Sequence, residues 1–168
     1  MNSPKRFEID ANLFASNGKR FANYIIDLVV IYILIFSLII ALILVTSMLN
    51  IMVFLEWIKT ISNTESYLIF FMVYIPYYGL LEGYNSRSIG KFVTKTIVVM
   101  KDGSKPDYAT TFKRAFCRII PFEQLSFLGA YSRGIHDSMS NTYVVNKEEF
   151  DKATELYISF EEIGTFKE

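Results

Sequence analysis

From Leu28 to Val45 the chain reads LVVIYILIFSLIIALILV, eighteen consecutive residues without a charge. Wound as a helix at about 1.5 Å per residue, that run covers about 27 Å, close to the hydrocarbon core of a bilayer at about 30 Å. Apolar character resumes at Ile51–Leu55, so the helix has length to spare for a tilt, and a span over about residues 23–48 is predicted. A secretory signal is excluded, because its apolar stretch is only about 7–15 residues, starts near the N-terminus and ends in a small-residue cleavage site. Here the run is longer, begins late and ends in Thr46-Ser47-Met48-Leu49-Asn50.

A second apolar run, Tyr67–Leu81, is YLIFFMVYIPYYGLL. Fifteen residues are short for a crossing. The run becomes a span over about 65–84 if the helix extends back toward Asn63 or forward through Glu82, Gly83 and Tyr84. Pro76 lies inside it and, lacking an N–H, is expected to kink it. Basic residues then set the orientation. Lys5, Arg6, Lys19 and Arg20 precede the first run, Lys59 alone lies between the runs, and Arg87, Lys91, Lys95, Lys101 and Lys105 follow the second. Since lysine and arginine stay on the cytoplasmic side during insertion, both termini are expected inside and the 50–66 connection outside. Tyr24, Tyr77, Tyr78 and Tyr84 suit the inner boundary, and Trp57 and Tyr67 the outer one.

The remainder is expected in the cytosol or at its membrane surface. Thr94–Lys101 is β-rich, with a turn at Asp102-Gly103 and Pro106. Residues 109–120 have helical spacing: Phe112, Phe116, Ile119 and Ile120 share one face, and Lys113, Arg114 and Arg118 lie elsewhere. A third span is not expected, because Arg118 and Glu123 would each cost about 2.5–3.5 kcal/mol near the bilayer centre. An in-plane interfacial helix is expected instead, with Arg114 and Arg118, together with Lys91, as basic membrane-surface residues that reach headgroups. The apolar stretch Phe122–Tyr131 is expected to dip into the bilayer boundary. Thr142–Val145 is a second β-like piece, too short to persist alone, and is expected to pair with Thr96–Val99. Asn146-Lys147-Glu148-Glu149 resembles a capping box opening a polar helix to about Phe160. The expected fold class is therefore an all-α membrane protein: a two-span helical hairpin, an amphipathic interfacial helix, a short β pair and a C-terminal helix. Its parts are a cytosolic segment 1–19, a membrane domain 20–146 and a cytosolic helix and tail 147–168.

Composition removes several classes of function. Lys+Arg and Asp+Glu balance at 17 each, so no general affinity for nucleic acid is expected. One cysteine, Cys117, excludes an internal disulfide framework, and with one histidine a zinc site in one chain is not expected. No cofactor is implied. Gly90-Lys91 is not a phosphate loop, since Asn85 stands where its first glycine is required and Phe92 follows the lysine. No Ser/His/Asp set or paired catalytic carboxylates appear, and an enzyme is not expected.

The informative residues are ionisable groups at the membrane boundary. Arg20 and Asp27 lie seven apart, within about 20° of one helix face. A carboxylate in an apolar helix is a functional-site candidate, although at the inner helix end Asp27 is also suited to pairing with Arg20 or with a basic group of the cytosolic half. Glu82 ends the second run at a similar depth. Two carboxylates there need a cation between them, which fits a cation or proton site and equally a salt bridge to Arg20. His136, beside Asp137, is a candidate proton relay or a local hydrogen-bond partner.

These residues together resemble the RDD family of bacterial membrane proteins, named for one arginine and two aspartates. The resemblance rests on Arg20-Phe-Ala-Asn-Tyr-Ile-Ile-Asp27, Ser88-Ile-Gly90-Lys91, Val98-Val99-Met-Lys-Asp-Gly103, the helical Arg114 and Arg118, and Gly134-Ile-His-Asp137-Ser-Met-Ser-Asn-Thr142-Tyr-Val-Val145. It covers about residues 15–146. It implies that Arg20 and Asp27 are the family's arginine and first aspartate, that Asp137 is the second, and that the chain sits in the bacterial inner (cytoplasmic) membrane. One departure is that Lys95-Thr96 stands where the family usually has a glycine after its Gly-Lys pair. The function expected is of transporter type, moving a small ion or solute, with cation/proton exchange as one form. Two spans cannot enclose a pathway, so a homo-oligomer within the lipid bilayer is expected. The alternative is a membrane-embedded partner or assembly factor, without transport, that docks another membrane or cytosolic protein.

Overall fold

The computed structural model describes residues 9–49, 51–120, 126 and 133–165. It is mostly helical, with one short sheet. In chain order come a 3-10 turn Ala11–Leu13, then α1 Asn17–Met48, α2 Met52–Thr60, α3 Asn63–Asn85, α4 Ile89–Val93, β1 Thr96–Met100, α5 Tyr108–Cys117, α6 Ile135–Met139, β2 Thr142–Asn146 and α7 Lys147–Thr165. The expected dip of Phe122–Tyr131 lies outside the described residues, Ser126 excepted.

Helix α1 begins where Ser16 accepts a hydrogen bond from the Lys19 amide, and it contains the uncharged run. Among the described residues it is the one helix that passes on both length and apolar character as a membrane crossing. Its apolar stretch is almost wholly uncovered, and its buried residues, Arg20, Asn23, Asp27 and Ile31, form a single stripe in its N-terminal half. The chain breaks at the end of α1 into a separate amphipathic helix, α2, which the sequence reading left as loop.

Helix α3 starts with a reciprocal capping box between Ser62 and Glu65, worth about 1 kcal/mol. It takes up both of the extensions needed for a long helix, and its 23 residues cover about 34 Å. It ends at Ser86, whose φ of 56° turns the chain out of the helix while its N–H still donates to the Glu82 carbonyl at 2.8 Å.

The N-terminal part of α1 and the C-terminal part of α3 are embedded in a compact layer. β1 and β2 pair antiparallel from Thr96↔Asn146 to Met100↔Thr142, the pairing expected from the two β-like pieces. The chain joins this layer before α1, since Phe14 bridges to Val145 and the Ala15 amide donates to the Val144 carbonyl at 2.9 Å. Helix α5 docks on α3 where two glycines open the surface. A Cβ on Gly79 would stand 2.7 Å from the Phe112 ring, and one on Gly83 2.4 Å from the Tyr108 ring. Thr111 Oγ1 donates to the Gly79 carbonyl at 2.9 Å across the same contact. This is the close backbone approach that small residues four apart permit.

The orientation of α5 corrects the sequence reading. Its buried stripe is Thr111, Arg114, Ala115 and, just past its end, Arg118, while Phe116, Ile119 and Ile120 are exposed. Arg114 and Arg118 point into the protein, whereas Phe116, Ile119 and Ile120 point out. Helix α7 begins as expected and runs on to Thr165.

Candidate functional site

Two polar clusters lie side by side in this layer. The first surrounds Asp27. Its carboxylate accepts from Tyr77 Oη at 2.6 Å, from Ser88 Oγ at 2.5 Å and from the Gly90 amide at 2.7 Å. Ser88 is the N-cap of α4, so its hydroxyl accepts from the Lys91 amide while donating to Asp27. Tyr77 Oη likewise accepts from the Ile89 amide at 3.3 Å. Glycine at position 90 is required by space: a Cβ there would meet the Asn23 carbonyl oxygen at 2.4 Å and the Asp27 carboxylate at 3.0 Å. The neighbouring Asn23 donates to Thr96 Oγ1 at 3.0 Å and accepts from Thr94, which fastens α1 to the start of β1.

The second cluster is ionic. Asp137 pairs with Arg20 Nη1 at 2.5 Å, Arg114 Nη1 at 2.9 Å and His136 Nε2 at 3.1 Å, and it accepts from the Gly134 amide at 3.2 Å. Glu82 pairs with Lys91 Nζ at 2.8 Å, Arg114 Nε at 3.1 Å and Arg118 Nη2 at 3.2 Å. Arg114 therefore bridges the two carboxylates, and it also donates to Thr142 Oγ1. The Arg118 guanidinium stacks over the Tyr78 ring at 4.0 Å. Arg20, Lys91, Arg114, Arg118, His136, Glu82 and Asp137 are all buried.

Burial alone would raise the Asp137 carboxyl, yet His136, Arg114 and Arg20 around it hold it well below the ordinary carboxylate range. Burial pushes the Lys91 ammonium below its ordinary value, opposed chiefly by Glu82 beside it and more weakly by Asp27. Lys91 is thus the electrostatic link between the two clusters.

Several expectations are corrected here. Arg20 and Asp27 share a helix face but do not pair: Arg20 reaches Asp137, and Asp27 is held by neutral donors alone. Glu82 does not pair with Arg20. Lys91, Arg114 and Arg118, read as basic membrane-surface residues, are buried against Glu82 and Asp137. The physical reason is that two buried carboxylates without cations would each be costly, and these are the cations within reach. His136 sits against Asp137 and its carbonyl accepts from Ser140 Oγ at 2.6 Å.

Sequence reasoning named Ser88, Gly90 and Thr142 only as parts of motifs and Tyr77 only as a boundary aromatic, and it missed the packing role of Gly79 and Gly83. Some signals were present. Gly79 and Gly83 have small-xxx-small spacing within an apolar helix, and Ser88 three residues before Lys91 has N-cap spacing. Nothing local marks Tyr77 or Thr142.

Each carboxylate is surrounded by donors from the chain itself. Among the described residues no three His, Cys, Asp or Glu side chains group as metal ligands. What this arrangement does chemically is fasten helices together, with the loss of one partner in a buried pair costing about 3–5 kcal/mol. No curated protein and no solved structure matches the chain. The model of the RDD family, the family of the resemblance carried by Arg20, Asp27 and Asp137, matches residues 14–157, most of the chain, and the chain belongs to that family.

Proposed function

We propose that the chain is a two-span protein of the bacterial inner membrane, both termini cytoplasmic, that acts as a membrane-embedded assembly module. The observation that carries this reading is that Asp27, Glu82 and Asp137 are all buried and held by donors of the same chain. They form a buried latch between the inner ends of α1 and α3 and the cytosolic layer. The same latch supports the hairpin: Asp27, in the first half of α1, and Glu82, near the end of α3, lie in one layer, so that α1 leads away from it and α3 leads back to it. The outer part of α1 stays uncovered, which suits lateral contact with lipid and with other membrane chains, copies of this one included.

The second reading is transport of a small ion or solute by an oligomer. One observation favours it: Asp27 is a buried carboxylate beside an apolar span, and its direct partners are neutral donors with no cation among them. Purified protein in liposomes with an imposed proton or sodium gradient separates the two. The assembly module dissipates neither gradient. Flux that Asp27→Asn abolishes while the fold survives would replace this reading with the transport one.

A further inference from the structure

Helix α5 runs antiparallel along α3. Tyr108 lies against Gly83 and Phe112 against Gly79, so each step of four residues along α5 is matched by a step of four back along α3. Continued, that register brings residue 116 level with residue 75. The bond from Tyr77 Oη to Asp27, the residue just before the uncharged run of α1, marks the depth at which that run begins. Residue 116 therefore lies on the apolar side of that depth. Ile119 and Ile120 lie further still, since they share the lining of a pocket of about 130 Å³ with Leu28 of α1 and with Phe70, Phe71 and Tyr74 of α3.

We infer that α5 enters the inner leaflet steeply beside α3, and that lipid acyl chains cover Phe116, Ile119 and Ile120. The inference rests on the membrane reading of α1 and α3. Helix α5 does not cross: its ten residues rise about 15 Å, half of a hydrocarbon core of about 30 Å. Three observations carry this. First, the exposed apolar end of α5 adjoins α1 and α3 at a depth where lipid is the surrounding solvent, so continuity with the spans selects the occupant. Second, the charges that oppose insertion are withdrawn from this face. Arg114 and Arg118 are buried and paired with Glu82, and Arg114 also with Asp137, so the cost of about 2.5–3.5 kcal/mol for an arginine near the bilayer centre does not fall on it. Lys113, the other cation of α5, is exposed at the level of residue 78, a boundary depth from which its ammonium reaches headgroups. Third, the carbonyls at the inserted end are bonded within the chain. The Arg118 amide donates to Arg114 at 3.2 Å, Ile119 to Phe116 at 3.0 Å and Ile120 to Cys117 at 3.3 Å. A helix end in hydrocarbon needs such bonds, because no water is there to replace them.

The experiment uses the full chain in liposomes of phosphatidylcholine and phosphatidylglycerol, with Trp57→Phe removing its single tryptophan. One tryptophan is then introduced as Ala109→Trp, Phe116→Trp or Ile120→Trp, all exposed positions. Emission is read with phosphatidylcholine brominated in its acyl chains and, separately, with iodide on both sides of the membrane. Ala109→Trp should lose emission to iodide and little to bromine. Phe116→Trp and Ile120→Trp should resist iodide and lose emission to bromine, Ile120→Trp the more when the bromine is deep in the chain. Ile119→Trp replaces either of them if it does not fold. Equal bromine quenching at all three positions would mean that α5 lies flat on the surface, and would overturn the proposal. So would iodide quenching of Phe116→Trp and Ile120→Trp, which places the face in water. Quenching of these two by neither reagent would overturn it in favour of a second copy of the chain covering the face. Leu38→Trp, at an exposed position of α1, separates the two levels of failure. If bromine does not quench it, the membrane reading falls and this inference with it. If bromine quenches it but spares Phe116→Trp and Ile120→Trp, the inference alone falls.

Discussion

Arg20 and Asp137 stand 117 residues apart in the chain, yet Arg20 Nη1 meets Asp137 Oδ2 at 2.5 Å with both side chains buried. This one contact ties the start of α1 to α6 and so closes the domain. Arg114, paired with the other oxygen of Asp137 and with Glu82, carries the same closure on to α3.

Removing either partner strands a buried charge. Arg20→Gln and Asp137→Asn should each cost about 3–5 kcal/mol of stability in detergent, and the double variant should lose clearly less than the sum. The parallel cycle with Asp27→Asn and Arg20→Gln should be close to additive, because those two residues lie on one helix face but belong to different clusters. A large coupling between Arg20 and Asp27 would contradict the arrangement described here.

Gly90→Ala should cost more than an ordinary surface substitution, about 1–3 kcal/mol, because the added Cβ meets the Asn23 backbone oxygen and pushes the amide off Asp27. Gly79→Ala presses instead on the Phe112 ring, a side chain with some freedom to move, and should cost less. Equilibrium unfolding of the two variants gives the comparison, and the reverse order would show that α5, not α4, is the tighter contact.

The legible parts of this fold are those set by local pattern. The uncharged run gave α1, and two short β-branched stretches gave the sheet and its partner strand. Asp137 could be proposed as a site residue from its motif, but its partners could not. A cation on an amphipathic helix reads the same whether it faces lipid headgroups or a buried carboxylate, which is why Arg114 and Arg118 of α5 read as membrane-surface residues. Only the three-dimensional meeting of Glu82 with Lys91, Arg114 and Arg118 settles which. The short helices α4 and α6 escaped because five residues carry too little periodicity to detect.

Asp137 should also shape the acid limb of stability. Its carboxyl is held well below the ordinary 3.8 by His136, Arg114 and Arg20 against the opposing effect of burial. The unfolded chain therefore takes up a proton first. The stability contributed by Asp137 is complete above about pH 4 and is lost as the pH falls below the ordinary value toward the folded one. Asp137→Asn should unfold more readily at neutral pH and show a shallower loss between about pH 4 and pH 2 than the parent. Parallel acid limbs would assign the transition to other carboxylates.

Lys95 occupies a backbone position that favours glycine. Its φ of 58° lies in the left-handed region, which side chains resist and glycine accepts. The Lys95 ammonium pairs with Glu148 at 2.6 Å, but both side chains are largely exposed, where such a pair contributes little. Relief of the backbone should outweigh its loss. Lys95→Gly is expected to raise Tm by about 2–4 °C for a chain of this size. A lower Tm would mean that the exposed pair matters more than its surroundings suggest.

The hairpin topology gives the last test. If α1 and α3 both cross the membrane, the stretch containing α2 lies outside, while the turn after β1 lies inside with the latch. Thr60→Cys and Ser104→Cys place thiols on exposed positions of these two segments. The native Cys117 is buried and should contribute little background, and a Cys117→Ser parent removes it altogether. An impermeant thiol reagent applied to intact cells or spheroplasts should label position 60 and spare position 104, and permeabilised cells should label both. Labelling of neither or both in intact cells would leave α3 on the same side as the cytosolic layer without a crossing.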